Sequence, residues 1–402
     1  MKVFFRRIHL YLGLTAGLVI TISCLTGALL VFEKELTEGF NHRRYFVEPG
    51  GARLQLDEVA ALVKQAVPGA GIARVQVFAD PARTIQVQLE EGRKEIASGK
   101  RRKGDTGKEG AGPKKEKGRT AFVNPYTGEI IELYSYPQTF YYKIFSLHRW
   151  LLAGATGKLI TGISTLIFFF ILLTGIILWW PKTRNIFRQR IKVKWDGNWK
   201  RVNNDLHIVL GFYTSIFLFV SVFTGLTWSF EWFSKALYSS LGASLKPAAA
   251  PLSAPAVDIT GKSISYETAL AVVKHAVPDA LFYSFTVPKD SSAAFTVSLL
   301  PAGALHEAAT TTYYLDQFSG KVLASQTFAQ RNLGQQIRST VKPLHTGAIF
   351  GTPSKIFALI LALLGATFPT TGTIMWLNRT MKKKRKTASP AVPEAGAAAQ
   401  VA

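Results

Sequence analysis

A charge-free stretch that begins with histidine, HLYLGLTAGLVITISCLTG at residues 9–27, recurs as HIVLGFYTSIFLFVSVFTG at residues 207–225. Both copies have glycine four residues after the histidine and end in Thr-Gly. About 20 apolar residues are enough to cross the hydrocarbon core of a bilayer. The repeat therefore predicts two equivalent membrane spans, related by duplication of part of the chain.

A second repeated pattern, His-x5-Gly-x3-Lys followed by Thr-Gly, runs from His148 to Gly175 and again from His345 to Gly372. A further charge-free run of 23 residues starts after the lysine of each copy and extends beyond its Thr-Gly, so the chain has four predicted spans, two in each half. An even number of spans per half gives the halves the same orientation, related by a pseudo-two-fold axis along the membrane normal. The fold class is a membrane α-helical protein with four transmembrane helices from a parallel internal duplication.

The segments between paired spans repeat as well. Residues 56–68 and 266–278 both read as an amphipathic helix that ends at proline, and alternating strands and a hairpin follow each of them. These patterns predict two small α+β domains outside the cytoplasm.

The predicted boundaries divide the chain into eight parts. They are 1–33 (first span, with a cytoplasmic N-terminus), 34–145 (first external domain, with a disordered basic insertion at 93–119), 146–181 (short re-entrant helix and second span), 182–204 (basic cytoplasmic loop), 205–233 (third span), 234–343 (second external domain), 344–378 (short helix and fourth span) and 379–402 (basic, then disordered, cytoplasmic tail).

The formal charge of +23 is distributed in a way that predicts topology. The loop 182–204 carries eight Lys and Arg residues against one Asp, and basic residues also cluster at the N-terminus and at 379–386. The positive-inside rule places these three segments in the cytoplasm. Four charge-free spans argue against a nucleic-acid-binding protein. The insertion at 93–119 is interpreted as a solvated loop or one that faces lipid headgroups.

The single cysteine, Cys24, excludes several kinds of site. An intrachain disulfide, an iron–sulfur cluster with four thiolate ligands and a zinc ribbon all need more cysteines. Covalent attachment of c-type haem needs Cys-x-x-Cys-His, which the chain lacks.

Four of the seven histidines are retained by the duplication, and they form two pairs. A two-fold axis brings equivalent residues face to face, so we expect His9 to meet His207 near the cytoplasm and His148 to meet His345 near the outer face. Ionisable groups in spans suggest functional sites, although packing against neighbouring helices is an alternative. Zinc and copper sites usually add a carboxylate or thiolate, and none lies near these histidines in sequence. Two imidazoles suffice as axial ligands of a haem.

Glycines near these histidines could leave room for a flat macrocycle. Gly13 and Gly211 lie one turn after His9 and His207, and Gly27 and Gly225 return to the same helix faces five turns after those histidines. Close packing of helices through small residues is a rival explanation for the glycines. The interpretation we adopt is two metal sites stacked across the membrane, with the four histidines as iron ligands.

Several motifs resemble those of the PepSY-associated transmembrane proteins, which include iron-regulated inner-membrane proteins and ferric-siderophore reductases. They are FRRIHLYLGLTAGL and LTGALLVFEKEL around the first span, LHRWLL and TGIILWWP around the second, and HTG before the fourth. The resemblance implies two b-type haems held by His9, His207, His148 and His345. It also implies a multi-pass protein of the bacterial inner membrane that reduces ferric siderophores or other iron(III) chelates on the periplasmic side.

Two functions from different classes remain open at this level. One is the reductase, whose electrons would come from quinol or a separate reductase, because the chain has no dinucleotide-binding fingerprint. The other is a non-enzymatic permease, accessory subunit or peptidase-modulating protein that uses its external domains for binding. The sequence identifies no catalytic residue, and membrane lipid is a partner in either case.

Overall fold

The computed structural model describes residues 1–90, 118–242, 250–253, 263–288 and 290–387, with side chains described to residue 381. Nearly all of the predicted insertion at 93–119, and the tail after residue 387, therefore lie outside the described residues.

Twelve α-helices occur in the described part of the chain. In order, they are α1 (Lys2–Leu30), α2 (Glu33–Phe40), α3 (His42–Tyr45), α4 (Leu56–Ala66), α5 (Phe140–Trp150), α6 (Gly154–Trp179), α7 (Arg184–Arg190), α8 (Trp199–Ser229), α9 (Glu231–Ser240), α10 (Tyr266–Ala276), α11 (Leu333–Thr346) and α12 (Thr352–Thr387).

Four of these helices, α1, α6, α8 and α12, are long and apolar enough to cross a membrane. The prediction of a four-span membrane α-helical protein is confirmed. The second span begins abruptly after α5, because Leu151, Leu152 and Gly154 all adopt positive φ angles. The corresponding turn before α12 uses Gly347 and Gly351, also at positive φ. A left-handed backbone at these positions lets each short helix end and the chain reverse within a few residues.

The chain divides into two compact units, and each of the four long helices contributes residues to both. The first unit comprises Met1–Cys24, Ser164–Val222 and Leu361–Ala402, and the second comprises Leu25–Ile163 and Phe223–Ile360.

The first unit is a bundle of helix segments with two notable close contacts. Gly17 on α1 lies against Pro369 on α12, where an added Cβ would stand 3.0 Å from the proline Cβ. This approach accommodates only a glycine without rearrangement. The ring of Trp179 stacks on that of Phe212, with centroids 3.5 Å apart, and joins α6 to α8.

The second unit contains one eight-stranded antiparallel sheet in the order β4-β3-β2-β1-β5-β6-β7-β8. Its strands are β1 (Gly71–Phe78), β2 (Ile85–Glu90), β3 (Thr120–Val123), β4 (Ile130–Tyr134), β5 (Ala280–Thr286), β6 (Phe295–Pro301), β7 (Thr311–Leu315) and β8 (Val322–Gln326).

The α+β character of the segments between paired spans is confirmed, but the two repeated modules share one sheet instead of forming two separate ones. Strands β1 and β5 pair in the antiparallel sense, from Arg74 opposite Thr286 to Phe78 opposite Phe282. Each of these strands would be an exposed edge if its module stood alone, and their pairing satisfies the unpaired backbone groups of both edges. Helices α4 and α10 cover one face of the sheet with a common apolar core.

The N-termini of α4 and α10 cap each other through their acidic residues. The carboxylate of Asp57 accepts hydrogen bonds from the backbone N–H groups of Tyr266 and Glu267, both at 3.0 Å. In return, Glu267 accepts from the backbone N–H of Leu56 at 3.0 Å and from the Arg53 guanidinium at 2.8 Å. Each carboxylate thereby satisfies free N–H groups and the positive end of the opposite helix dipole.

We expect Asp57→Ala to lower the free energy of unfolding of the external sheet region by about 1 kcal/mol, because it removes a cap that bonds two N–H groups. Glu58→Ala is the matched control, since Glu58 is exposed on the same turn. The measurement is the midpoint of thermal unfolding of the full chain in detergent. Equal shifts for the two variants would contradict the reciprocal cap.

Candidate functional site

The structure brings His9 on α1 together with His207 on α8 in the first unit. Their ring centroids are 6.3 Å apart and their planes are nearly perpendicular, at 89°. We call these two residues the first histidine pair.

The Nδ1 atom of each ring in the first pair is bound to a threonine on another long helix. His9 Nδ1 lies 3.0 Å from Thr174 Oγ1 and 3.1 Å from the carbonyl oxygen of Ile171, both on α6. His207 Nδ1 lies 2.8 Å from Thr371 Oγ1 on α12. Both rings are therefore held in a fixed orientation at the same ring atom.

The threonines also determine which ring nitrogen carries the proton. The Thr174 hydroxyl donates to the carbonyl oxygen of Phe170 at 2.8 Å, and the Thr371 hydroxyl donates to that of Thr367 at 3.0 Å. A hydroxyl whose one hydrogen points to its helix carbonyl accepts from the imidazole through its oxygen, and this arrangement places the proton on Nδ1. The Nε2 atom is left with a free lone pair, the state of an imidazole that is ready to bind a metal.

The glycine after each of these threonines packs on the same imidazole. A Cβ at Gly175 would lie 3.3 Å from Cε1 of His9, and a Cβ at Gly372 would lie 3.3 Å from Cε1 of His207. Each Thr-Gly motif therefore provides a hydrogen-bond acceptor for Nδ1 and a surface without a side chain against the ring edge.

The second unit contains the second histidine pair, formed by His148 on α5 and His345 on α11. Their ring centroids are also 6.3 Å apart, with planes at 65°. Thr26 Oγ1 lies 3.1 Å from His148 Nδ1, and Thr224 Oγ1 lies 2.9 Å from His345 Nδ1. A Cβ at Gly27 would lie 3.2 Å from Cε1 of His148. The contacts of the first pair are thus repeated here.

In the sequence the Thr-Gly motifs are only landmarks of the repeat, and their contact with the histidines was not predicted. Gly27 and Gly225 were expected in a groove for a macrocycle, whereas Gly27 lies directly against the imidazole of His148. The available signal was that each repeated histidine keeps its distance to a Thr-Gly in both halves. The glycine follows by 18 residues in the first repeat and by 27 in the second.

The separation of the rings in both pairs matches that of two imidazoles bound to opposite sides of one metal ion. A metal–imidazole bond is about 2 Å long, and the nitrogen lies about 1.1 Å from the ring centroid, so two such ligands in line have centroids about 6 Å apart. In the part of the chain that the structure describes, no three His, Cys, Asp or Glu side chains come together to hold a metal ion. Each pair therefore offers two nitrogen ligands.

A cavity of about 480 Å³ lies beside the first pair, and residues from all four long helices line it. Its volume is within the range of small-molecule and cofactor sites. Gly13 and Gly211 are among its lining residues. A Cβ at Gly13 would meet no atom within 4 Å, and one at Gly211 would meet only the Phe368 ring, at 4.0 Å. These glycines border open space, which larger side chains would fill.

Aromatic and ionisable groups are found around the second pair and in its unit. Trp228 makes an edge contact with the His345 ring, with centroids 5.1 Å apart. Arg149, next to His148 in the chain, donates to the carbonyl oxygen of Trp228 at 3.5 Å, and burial lowers the pKa of its guanidinium. Burial also raises the pKa of Glu33, although a hydrogen bond with Tyr136 acts in the opposite direction.

Residues 6–379 match the PepSY-associated TM region family, so the match contains all four paired histidines and all four Thr-Gly motifs. No curated protein matches the chain.

Proposed function

The chain belongs to the PepSY-associated TM region family, and from that premise we propose that it is a di-haem b-type reductase of the bacterial inner membrane. In this proposal the protein passes electrons across the membrane to ferric siderophores or similar iron(III) chelates on the periplasmic side. The observation that carries the proposal is the arrangement of the two histidine pairs. Both have rings 6.3 Å apart, and every paired imidazole has its Nδ1 bound to a threonine.

When bound, haem supplies a one-electron iron couple whose potential depends on its axial ligands and surroundings. In this proposal His9 and His207 would hold one haem through their ring nitrogens, and His148 and His345 would hold the other. The threonine hydroxyls hold the Nδ1–H groups, which fixes the ring orientation and increases the basicity of Nε2. Gly13 and Gly211 leave the space that the macrocycle needs.

The orientation of the chain in the membrane follows from its charge. The basic loop 182–204 and the basic segments near both ends of the chain would lie in the cytoplasm by the positive-inside rule. The eight-stranded sheet would then lie in the periplasm, in the same unit as the second histidine pair. The reductase would release electrons on that side.

The chemistry of iron(III) chelates is consistent with electron release to them on the periplasmic side. Siderophores bind iron(III) through hard oxygen ligands, and the lower charge of iron(II) weakens the same bonds, so reduction promotes release of the metal. The electron donor would be quinol or a separate reductase.

The experiment that tests the proposal is an optical spectrum of the full chain, purified in detergent from a haem-sufficient host. We expect a red protein with about two haems per chain, all extractable by acid–acetone, because the chain lacks the Cys-x-x-Cys-His motif for covalent attachment. A colourless protein would contradict the proposal and favour a non-enzymatic binding role for the external sheet.

We expect Thr371→Val to weaken haem retention at the first pair by about 10- to 100-fold, the usual effect of removing a partner of a metal-ligating histidine. Valine preserves the side-chain shape but cannot accept the His207 Nδ1–H. Thr367→Val is the matched control on the same helix, because the exposed Thr367 hydroxyl donates only to the carbonyl oxygen of Leu364. The measurement is haem content after dilution into haem-scavenging apomyoglobin. Equal haem loss from both variants would show that Thr371 does not support the ligand.

A further inference from the structure

Five basic side chains line the cavity of the first histidine pair, and no acidic side chain is among its lining residues. The basic residues are Lys2, Arg6, Arg7, Arg190 and Arg379.

Helix positions place three of these charges at one end of the cavity. On α1, Lys2, Arg6, His9 and Gly13 follow one another at intervals of four, three and four residues, so they share one helix face. The cations precede the histidine on that face. On α12, Arg379 lies seven residues, or about 10 Å along the helix, beyond the glycine that packs on His207.

The remainder of the cavity wall is largely apolar. Beyond the histidine on α1, the lining includes Leu14 and Ile20, and α6 adds Phe168 and Leu172. The cavity therefore suits a ligand that is apolar over most of its surface and anionic at one edge.

Three of the five cations have no partner among the described residues. Lys2 donates to the carbonyl oxygen of Trp180, and Arg190 donates to the carbonyl oxygens of Leu178 and Trp179. The side chains of Arg6, Arg7 and Arg379 make no hydrogen bond or ion pair with a described residue. Like charges at one cavity end repel one another, and an anionic ligand relieves that repulsion.

We infer that Arg6, Arg7 and Arg379 bind the two propionate carboxylates of the haem at the first pair and so fix which edge of the macrocycle faces the cytoplasm. This inference rests on the proposed function. Guanidinium groups suit the role because they bind carboxylates through two parallel hydrogen bonds and stay charged at all relevant pH values. The phosphate of an anionic lipid offers the same chemistry, and the experiment separates the two sources.

The experiment is a redox titration of the purified full chain and of the variants Arg6→Gln, Arg7→Gln and Arg379→Gln, singly and combined. Reduction adds one negative charge to the haem, and nearby cations stabilise that state. We expect the combined variant to shift the reduction equilibrium of the first haem at least tenfold toward the oxidised form, which is about 59 mV for one electron. The second haem is the internal control and should keep its potential.

Arg188→Gln is the matched control, since Arg188 is an exposed arginine of α7 that does not line the cavity. The corresponding Arg→Lys variants keep the charge and should recover most of the potential, and the single glutamine variants carry the test if the combined one fails to fold. A first-haem shift no larger than that of Arg188→Gln would overturn the inference. The inference would also be overturned if the arginine variants kept the potential but lost co-purified anionic lipid. In that case the three arginines would bind a lipid phosphate.

The haem content of the unmodified chain separates this inference from the proposed function. If that chain holds no haem, both fail. If it holds two haems and the arginine variants match the control, only the inference fails.

Discussion

Replacing His207 with alanine should remove one of the two haems and leave the other spectrally intact, and replacing His9 should remove the same one. The reason is the pairing of the rings at 6.3 Å, since an iron between them would lose half of its protein ligands with either substitution. His148→Ala and His345→Ala should remove the other haem. The four variants would then form two classes, each with about one haem per chain instead of two.

The measurement is haem content, together with low-temperature spectra that resolve the two haems. His306→Ala is the matched control, because its ring bonds to Thr340 and belongs to neither pair. Loss of both haems from every variant, or a class that joined His9 with His345, would contradict the pairing. Edge-to-face contact between rings also occurs at such distances. If the pairs were only packing contacts, the substitutions would change stability and leave the spectra unchanged.

The spans and the histidine pairs could be predicted from the sequence because the signals are local or repeated. A charge-free run of membrane length needs no knowledge of the rest of the fold. The pairing of His9 with His207 followed from the duplication, since a symmetry axis relates equivalent residues without a contact map. The helices α4 and α10 could be predicted as well, because their apolar faces follow the helical period.

The partners of the histidines could not be predicted in the same way. Helix periodicity shows which residues share a face, but it does not show which neighbouring helix that face meets. His9 is bound by the threonine of α6, and His148 by the threonine of α1, so each motif serves a histidine far away in the chain. Gly27 lies against the His148 imidazole, a contact that the sequence did not predict, because a missing side chain can make room for an imidazole or for a macrocycle alike.

The fusion of the two external modules into one sheet had no sequence signal either. Alternating apolar residues identify β1 and β5 as strands with one buried face, but they do not state what pairs with the strand edges. That pairing joins Val75 to Phe285, residues more than 200 positions apart. It creates a single periplasmic platform in the proposed orientation, and it accounts for the two helices that cap each other at their N-termini.

The largest functional effect should come from His345→Ala, which we expect to leave the first haem in place and still abolish reduction of iron(III) chelates from the periplasmic side. In the proposed orientation the second pair belongs to the unit with the external sheet, so electrons reach the chelate from that unit. The measurement mixes dithionite-reduced protein anaerobically with a ferric siderophore and follows the haem bands, with an iron(II)-trapping dye in the solution.

The haem of the unmodified chain should be reoxidised as trapped iron(II) forms. The haem of His345→Ala should stay reduced, and trapped iron(II) should form no faster than with a haem-free preparation. His306→Ala again provides the control, since it alters a histidine of the same unit outside the pairs. Reoxidation of His345→Ala at the rate of the unmodified chain would show that the chelate receives electrons elsewhere. Stable reduced haem in the unmodified chain against several chelates would contradict the reductase itself and favour a binding role, because haem without an acceptor performs no reduction.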